Sequence, residues 1–244
     1  MVGRIKQILK LPGDIIRVRR TRLGYWTEGG LNRYGILPKE VPAAGLKREF
    51  SLSVDATSGV ISLTSACSKA KLTIDPAIAG EGYALVIRLA TGERVFGLGD
   101  CSRKSVQRRP GRYEIWVSNK VCNVPVPMCL SSEGWGMLNN STWRHTWDVG
   151  QRKPGELAVE AAEGDVDFYV FVGKGFRELL DAYTRLTGRP RLLPVWGYGL
   201  TYVANQEIND FALCEEARHF RQEQIPCDVI GIEPGWMSRD YDMT

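Results

Sequence analysis

One change of pattern constrains this chain more than any other feature. Up to about residue 170 its apolar residues fall in short runs, many with a period of two, broken by Gly, Pro and Asn. Ile15-Ile16-Arg17-Val18-Arg19 alternates in its second half. Phe50-Ser51-Leu52-Ser53-Val54 alternates throughout, and Val60-Ile61-Ser62-Leu63-Thr64 does so after its first residue. Further runs are Lys71 to Ile74, Tyr83 to Leu89, Tyr113 to Val117, Trp135 to Leu138 and Phe168 to Val172. No convincing helical period precedes Phe176. Many short strands at such spacing predict an antiparallel β-sandwich over residues 1–188.

The period then changes. Phe176, Leu179, Leu180, Tyr183 and Leu186 stand at helical spacing, with Gly188 where a cap would sit and Pro190 blocking continuation. Residues 188–194 read as a linker. Trp196 to Val203 is apolar and Gly-rich, which predicts a buried strand. Asn209 is placed to cap a helix carrying Leu213, Cys214, Ala217 and Phe220 on one face, ended by Ile225-Pro226. Asp228 to Ile232 then reads as a second strand. Strand, helix and strand at this length are the unit of a parallel sheet. The expected fold class is therefore mainly β, then α/β. Residues 189–244 are expected to hold the first strands of an incomplete (β/α)8 barrel, because a complete one takes about 250 residues. Two strands and a helix leave apolar faces and strand edges open. The expectation is an N-terminal part of a longer protein.

Composition excludes little and agrees with this. The chain has 244 residues, 43% of them hydrophobic and 25% charged, with a formal net charge of +4, which suits a globular core. No run of about 18 apolar residues predicts a membrane span, and Met1 to Gln7 does not read as a signal peptide. Six cysteines, none in C-x-x-C spacing, are expected as reduced, buried thiols of a cytoplasmic protein. Only His145 and His219 accompany them, so neither zinc nor any other cofactor is expected. Asn139 and Asn140 head N-x-S/T triplets, which carry no meaning without secretion. Gly173-Lys174-Gly175 lacks the full phosphate-loop pattern and reads as a tight turn. Basic residues gather at Arg17, Arg19, Arg20 and Arg22, and again from Arg103 to Arg112. With no base-reading motif, both groups are expected to be solvated loop rather than a nucleic-acid surface. Trp143, Arg144, His145 and Trp147 are expected to pack on a strand. No membrane partner is expected, and the sequence does not give the oligomeric state.

Several segments, taken in order, carry a resemblance. Val95-Phe96-Gly97-Leu98-Gly99-Asp100 is similar to an F-G-L-G-E motif. Val126-Pro127 and Gly134-Trp135-Gly136-Met137-Leu138-Asn139-Asn140-Ser141 are similar to P-F and G-Y-G-x-F-x-N-S motifs. Tyr183-Thr184-Arg185-Leu186-Thr187-Gly188-Arg189-Pro190, Leu193-Pro194 and Trp196-Gly197-Tyr198-Gly199 resemble a sandwich-to-barrel junction. Phe220-Arg221, Ile225-Pro226-Cys227-Asp228-Val229-Ile230 and Trp236-Met237 resemble a second barrel strand. All are motifs of glycoside hydrolase family 31, which includes α-glucosidases and α-xylosidases. The resemblance covers roughly Val95 to Met237.

The resemblance implies a retaining mechanism, in which two carboxylates about 5–5.5 Å apart act as nucleophile and acid/base. In the family both are aspartates on later barrel strands, so no catalytic residue is assigned in this chain. It implies a carbohydrate substrate. Glu233 takes the place of an Asp that contacts a sugar hydroxyl, and Gly235 replaces a second acid of the D-I-D-Y-M motif. That departure points away from glucose itself. Glu233 lies at the C-terminal tip of its strand, where barrel enzymes keep their sites. The expected substrate-binding residues are Glu233, Trp236 and Tyr202, with barrel packing as the competing role for the two aromatics. Asp228, at the other end of the strand, is expected to be structural. The resemblance also places the basic sandwich loop over the sugar pocket, which would favour anionic sugars. The alternative from another class is a non-catalytic carbohydrate-binding sandwich.

Overall fold

The structure, a computed structural model, describes residues 5–12, 15–21, 25, 27–37, 50–54, 60–65, 71–102, 104–118, 122–204 and 209–239. The chain divides into two compact units, Met1–Arg189 and Pro190–Thr244.

The first unit is built from strands β1 (Ile5–Leu11) and β2 (Ile15–Thr21), a single helical turn α1 (Gly30–Arg33), and strands β3 (Phe50–Val54), β4 (Ile61–Ser65), β5 (Lys71–Ala79) and β6 (Gly82–Arg88). Next come β7 (Val95–Gly97), β8 (Gly111–Ile115), β9 (Met128–Ser131), β10 (Trp135–Asn139), β11 (His145–Val149), β12 (Glu156–Ala161) and β13 (Val166–Val172), and then helix α2 (Phe176–Thr187). Two antiparallel sheets result, ordered β1-β2-β13-β10-β9-β7 and β3-β4-β5-β6-β12-β11-β8. The predicted sandwich is present. Pro76 sits inside β5 without harm. The β4 ladder ends at the Ile61–Ile74 pair, so Pro76 pairs only with Leu85 of β6 and leaves no neighbour short of an amide.

The first sheet is buried on both faces, and β13 shows why. Its even residues Val166, Phe168, Val170 and Val172 enter the core between the sheets, with Ile16, Val18, Leu85, Ile87, Trp135 and Trp147. Its odd residues Tyr169 and Phe171 enter a second core with Ile15, Leu138 and the α2 residues Leu179, Ala182 and Leu186. Period two on the strand and 3.6 on the helix make these faces meet. Each such buried side chain contributes roughly 1.5–3 kcal/mol. The helix turns only part of the predicted face inward, since Phe176 and Leu180 stay exposed. Its capping glycine, Gly188, has φ of +101°, a conformation that L side chains rarely adopt.

Several expectations are corrected. Arg17 and Arg19 are buried on β2, and Arg108 is buried in its turn, so these basic groups are not solvated loop. A guanidinium is buried only when its donors are matched, and each of the three is hydrogen-bonded. Arg22 and Arg103 lie outside the described residues. In the second unit, Trp196 to Val203 is not one buried strand. Val195–Tyr198 forms a 3-10 turn, and only β14 (Thr201–Ala204) is extended. Pro194 starts the turn, with Gly197 N–H donating to its carbonyl at 2.9 Å. Trp196, Tyr198 and Val203 remain about half exposed. Helix α3 (Asp210–Gln222) follows, capped by Asn209, whose side chain accepts from Ala212 N–H at 2.8 Å. Strand β15 (Val229–Ile232) then pairs parallel with β14, in register from Thr201–Val229 to Ala204–Ile232. A short turn, Pro234–Trp236, comes after it. The unit holds a β-α-β crossover and, among the described residues, no closed barrel.

Candidate functional site

The parallel pair positions the sugar-contact candidates. Both strands run to the same end, at Ala204 and Ile232, and Glu233 is the next residue. Its N–H donates to the Ala204 carbonyl at 3.3 Å, which extends the ladder by one bond and fixes the backbone where the carboxylate leaves the strand. Glu233 is half-buried. Pro234 then bends the chain, and Met237 N–H closes the turn on the Pro234 carbonyl at 2.9 Å, which places Gly235 and Trp236 beside the strand tip. Tyr202 lies two residues before the end of β14. Its ring meets Phe220 of α3 at 5.2 Å between centroids, so it serves the strand–helix contact. The structure thus leaves Glu233 at the strand tip with the backbone of Trp236 in the turn that follows, while Tyr202 packs on the helix.

Asp228 stands at the opposite end of β15. Its carboxylate lies against Gly199, where an added Cβ would come within 1.8 Å of Oδ2. Its N–H donates to Leu200 O at 3.0 Å. This is the structural role expected of it.

In the first unit, the separate family-like segments become neighbours. Strand β7 pairs with β9, and β9 with β10, which sets Val95–Gly97 and the Trp135–Asn139 segment on either side of one strand. Leu98 N–H donates to Met128 O at 2.8 Å, and the Asp100 carboxylate accepts from Val124 N–H at 2.8 Å and Asn123 N–H at 3.2 Å. A Cβ on Gly99 would stand 2.0 Å from Val124 O, so only glycine lets the two backbones approach this closely. Arg108 holds the turn beneath. It donates to the carbonyls of Gly97, Gly99, Ser102 and Ser105 at 2.7 to 3.0 Å and stacks over Tyr113. Arg109 is committed too, donating to Ala90 O at 2.8 Å and Glu93 O at 2.9 Å. These two cations are occupied by backbone oxygen, so the expected preference for anionic sugars loses two of the cations behind it.

A buried polar cluster was not predicted. Arg17 grips Asp167 through Nε and Nη2 at 2.9 and 2.6 Å, Asn140 donates to the same carboxylate at 2.7 Å, and Arg19 stands 3.8 Å away. Burial pushes the Asp167 carboxyl up, while these cations and donors pull it down; the two-pronged geometry favours the ion pair. Burial alone would lower Arg17, yet its bonds to Asp167 hold it above the ordinary value. Arg19, Asn140 and Asp167 of this cluster line an open cleft together with Glu28, Trp143 and Asp165. One signal was legible: a lone Asp within the apolar run around Phe168, facing alternate arginines on another strand. Asn139 and Asn140 are both buried, their amides bonded to Tyr83 and to Asp167 and Asn32, as glycan acceptors are not. At Gly173-Lys174-Gly175 the Glu178 carboxylate accepts from Lys174 N–H at 2.8 Å, filling with the chain's own anion the place a phosphate would need.

No protein-family model matches the chain. It is 26% identical over 165 residues to an alpha-xylosidase of Emericella nidulans, covering 64% of this chain and 21% of that protein. It is 27% identical over 169 residues to an alpha-xylosidase of Saccharolobus solfataricus, covering 64% and 23%. Its fold matches a GH31 alpha-xylosidase from a soil metagenome, solved with xylose, at a TM-score of 0.75 and 17% identity over 93% of this chain and 39% of that one. In fold the chain is thus similar to a structure of glycoside hydrolase family 31. A family 31 dextranase of Flavobacterium johnsoniae, complexed with glucose, gives a TM-score of 0.74 at 19% identity, covering 96% of this chain and 32% of that one. The chain spans about a fifth to a quarter of the length of the two alpha-xylosidases it matches in sequence.

Proposed function

We propose that this chain is the sandwich and barrel entry of a retaining α-glycosidase, with an α-linked glycoside or oligosaccharide as substrate. The observation that carries the reading is Glu233 at the C-terminal tip of a parallel β-α-β unit, the end where barrel enzymes bind substrate. Two relatives are alpha-xylosidases, which supports an α-glycoside over other polyols. A carboxylate there accepts hydrogen bonds from sugar hydroxyls, and this reading gives Trp236, three residues on in sequence, the role of apolar partner to sugar C–H groups. Cleavage with retention needs a nucleophile and an acid/base at set separation, and this reading places both aspartates beyond Thr244. The chain positions sugar and does not break the bond.

The 244-residue chain is therefore expected to release no p-nitrophenol from an aryl α-xyloside or α-glucoside. Turnover above the uncatalysed rate, abolished by Glu233→Gln, would overturn the assignment of the chemistry to residues elsewhere.

A further inference from the structure

Two thiols far apart in sequence stand sulfur to sulfur. Cys101 Sγ and Cys122 Sγ are 3.0 Å apart, closer than two sulfurs come in ordinary contact, and both side chains are buried. The backbone on each side is already fixed. Ser118 and Cys122 exchange both backbone hydrogen bonds, at 2.7 and 2.8 Å. Asp100 N–H donates to Val124 O at 3.2 Å, and its carboxylate accepts from Asn123 and Val124. Ordering the two residues costs little, because the fold has done it.

We propose that Cys101 and Cys122 are a redox modification site: a small oxidising disulfide converts them to a disulfide that clamps both ends of the segment between them. That segment carries Arg108, β8 and the basic run, so the bond ties the turn after β7 to the segment that leads into β9. The inference does not depend on the glycosidase reading.

The chemistry balances. The Cys101 thiol loses its proton, and its sulfur attacks one sulfur of the small disulfide, expelling one thiolate and leaving a mixed disulfide. The Cys122 thiolate attacks the Cys101 sulfur and expels the second. The protein loses two electrons and two protons, and the small disulfide becomes two thiols. Cys101 is the entry point, since it is the more exposed of the two and Arg108 offsets part of the burial that raises its pKa. Burial and the neighbouring Cys101 and Asp100 keep Cys122 protonated, so the exchange is slow at neutral pH.

The test is oxidation of the full chain by oxidised glutathione, with Cys214 and Cys227 changed to Ser to remove the more exposed thiols. The expected result is a loss of two hydrogen masses without a glutathione adduct, and a peptide joining Cys101 to Cys122. The melting temperature should rise by roughly 5–10 °C and fall back on reduction. Cys101→Ser and Cys122→Ser should each abolish the mass change. A stable glutathione adduct on Cys101, alkylation of both thiols after oxidation, a bond to another cysteine, or an unchanged melting temperature in the linked form would each overturn the proposal. The mass reading on the parent chain stands whether or not either serine variant folds.

Discussion

Arg108 shows how much one side chain holds. Its guanidinium donates to four carbonyls around one turn. Arg108→Ala leaves them without these donors and is expected to cost about 3 kcal/mol, read as a shift in the urea midpoint; Lys, with no fork, should recover little. His145 makes a second case. It is buried, with Nδ1 2.6 Å from Trp143 O and Nε2 unpartnered, and burial lowers its pKa. The unfolded chain therefore binds a proton more readily than the folded one. Stability is full above the unfolded value of about 6.5 and declines as pH falls below it. Melting temperature should drop between pH 7.5 and 5, and His145→Gln should flatten that slope. An equal slope in the variant would rule this out. The sequence placed His145 on a packed strand correctly. It misjudged Arg17, Arg19 and Arg108, because a charge count does not say which cations have a carbonyl or carboxylate waiting for them.

At the scale of elements, α2 covers the outer face of the first sheet through Leu179, Ala182 and Leu186. Leu179→Ala opens a void in the core that also holds Phe171 and Ile15 and should cost about 2–5 kcal/mol by chemical denaturation; a value under 1 would mean that the helix is not seated there. This helix and strands β4 and β6 were legible, since period and burial agree in them, and strands β3, β10 and β13 were legible from their runs alone. Strand β12 was missed although Leu157, Val159 and Ala161 alternate inward. Its outward Glu156 and Glu160 pair with Arg88 and Arg152 and mask the apolar face in the sequence. The first barrel strand was overextended because Trp196 to Val203 is apolar throughout. The glycines and Pro194 in and before that stretch spoke for a turn. The position of Glu233 at a strand tip was legible; the motif neighbourhood around Asp100 was not, since contacts between separate strands have no local signature.

Over the whole molecule, the two units differ in how well they bury themselves. The first has two apolar cores. The second leaves Leu192, Val195, Trp196, Tyr198 and Phe211 more than half exposed. The intact chain should enhance the fluorescence of an apolar dye, and truncation after Arg189 should remove most of that signal. A shortened chain with equal dye binding would place the open surface in the sandwich instead. The first unit has its own demand. Strand β2 lies against β13, and Arg17 meets Asp167 across 150 positions of sequence. During synthesis the first arginine is made roughly ten seconds or more before its carboxylate exists. Until then β2 has an open edge, and its Arg17 lacks the two-pronged carboxylate partner it has in the folded unit. A nascent chain of this design must be kept from pairing with strangers while it waits for its own last strand.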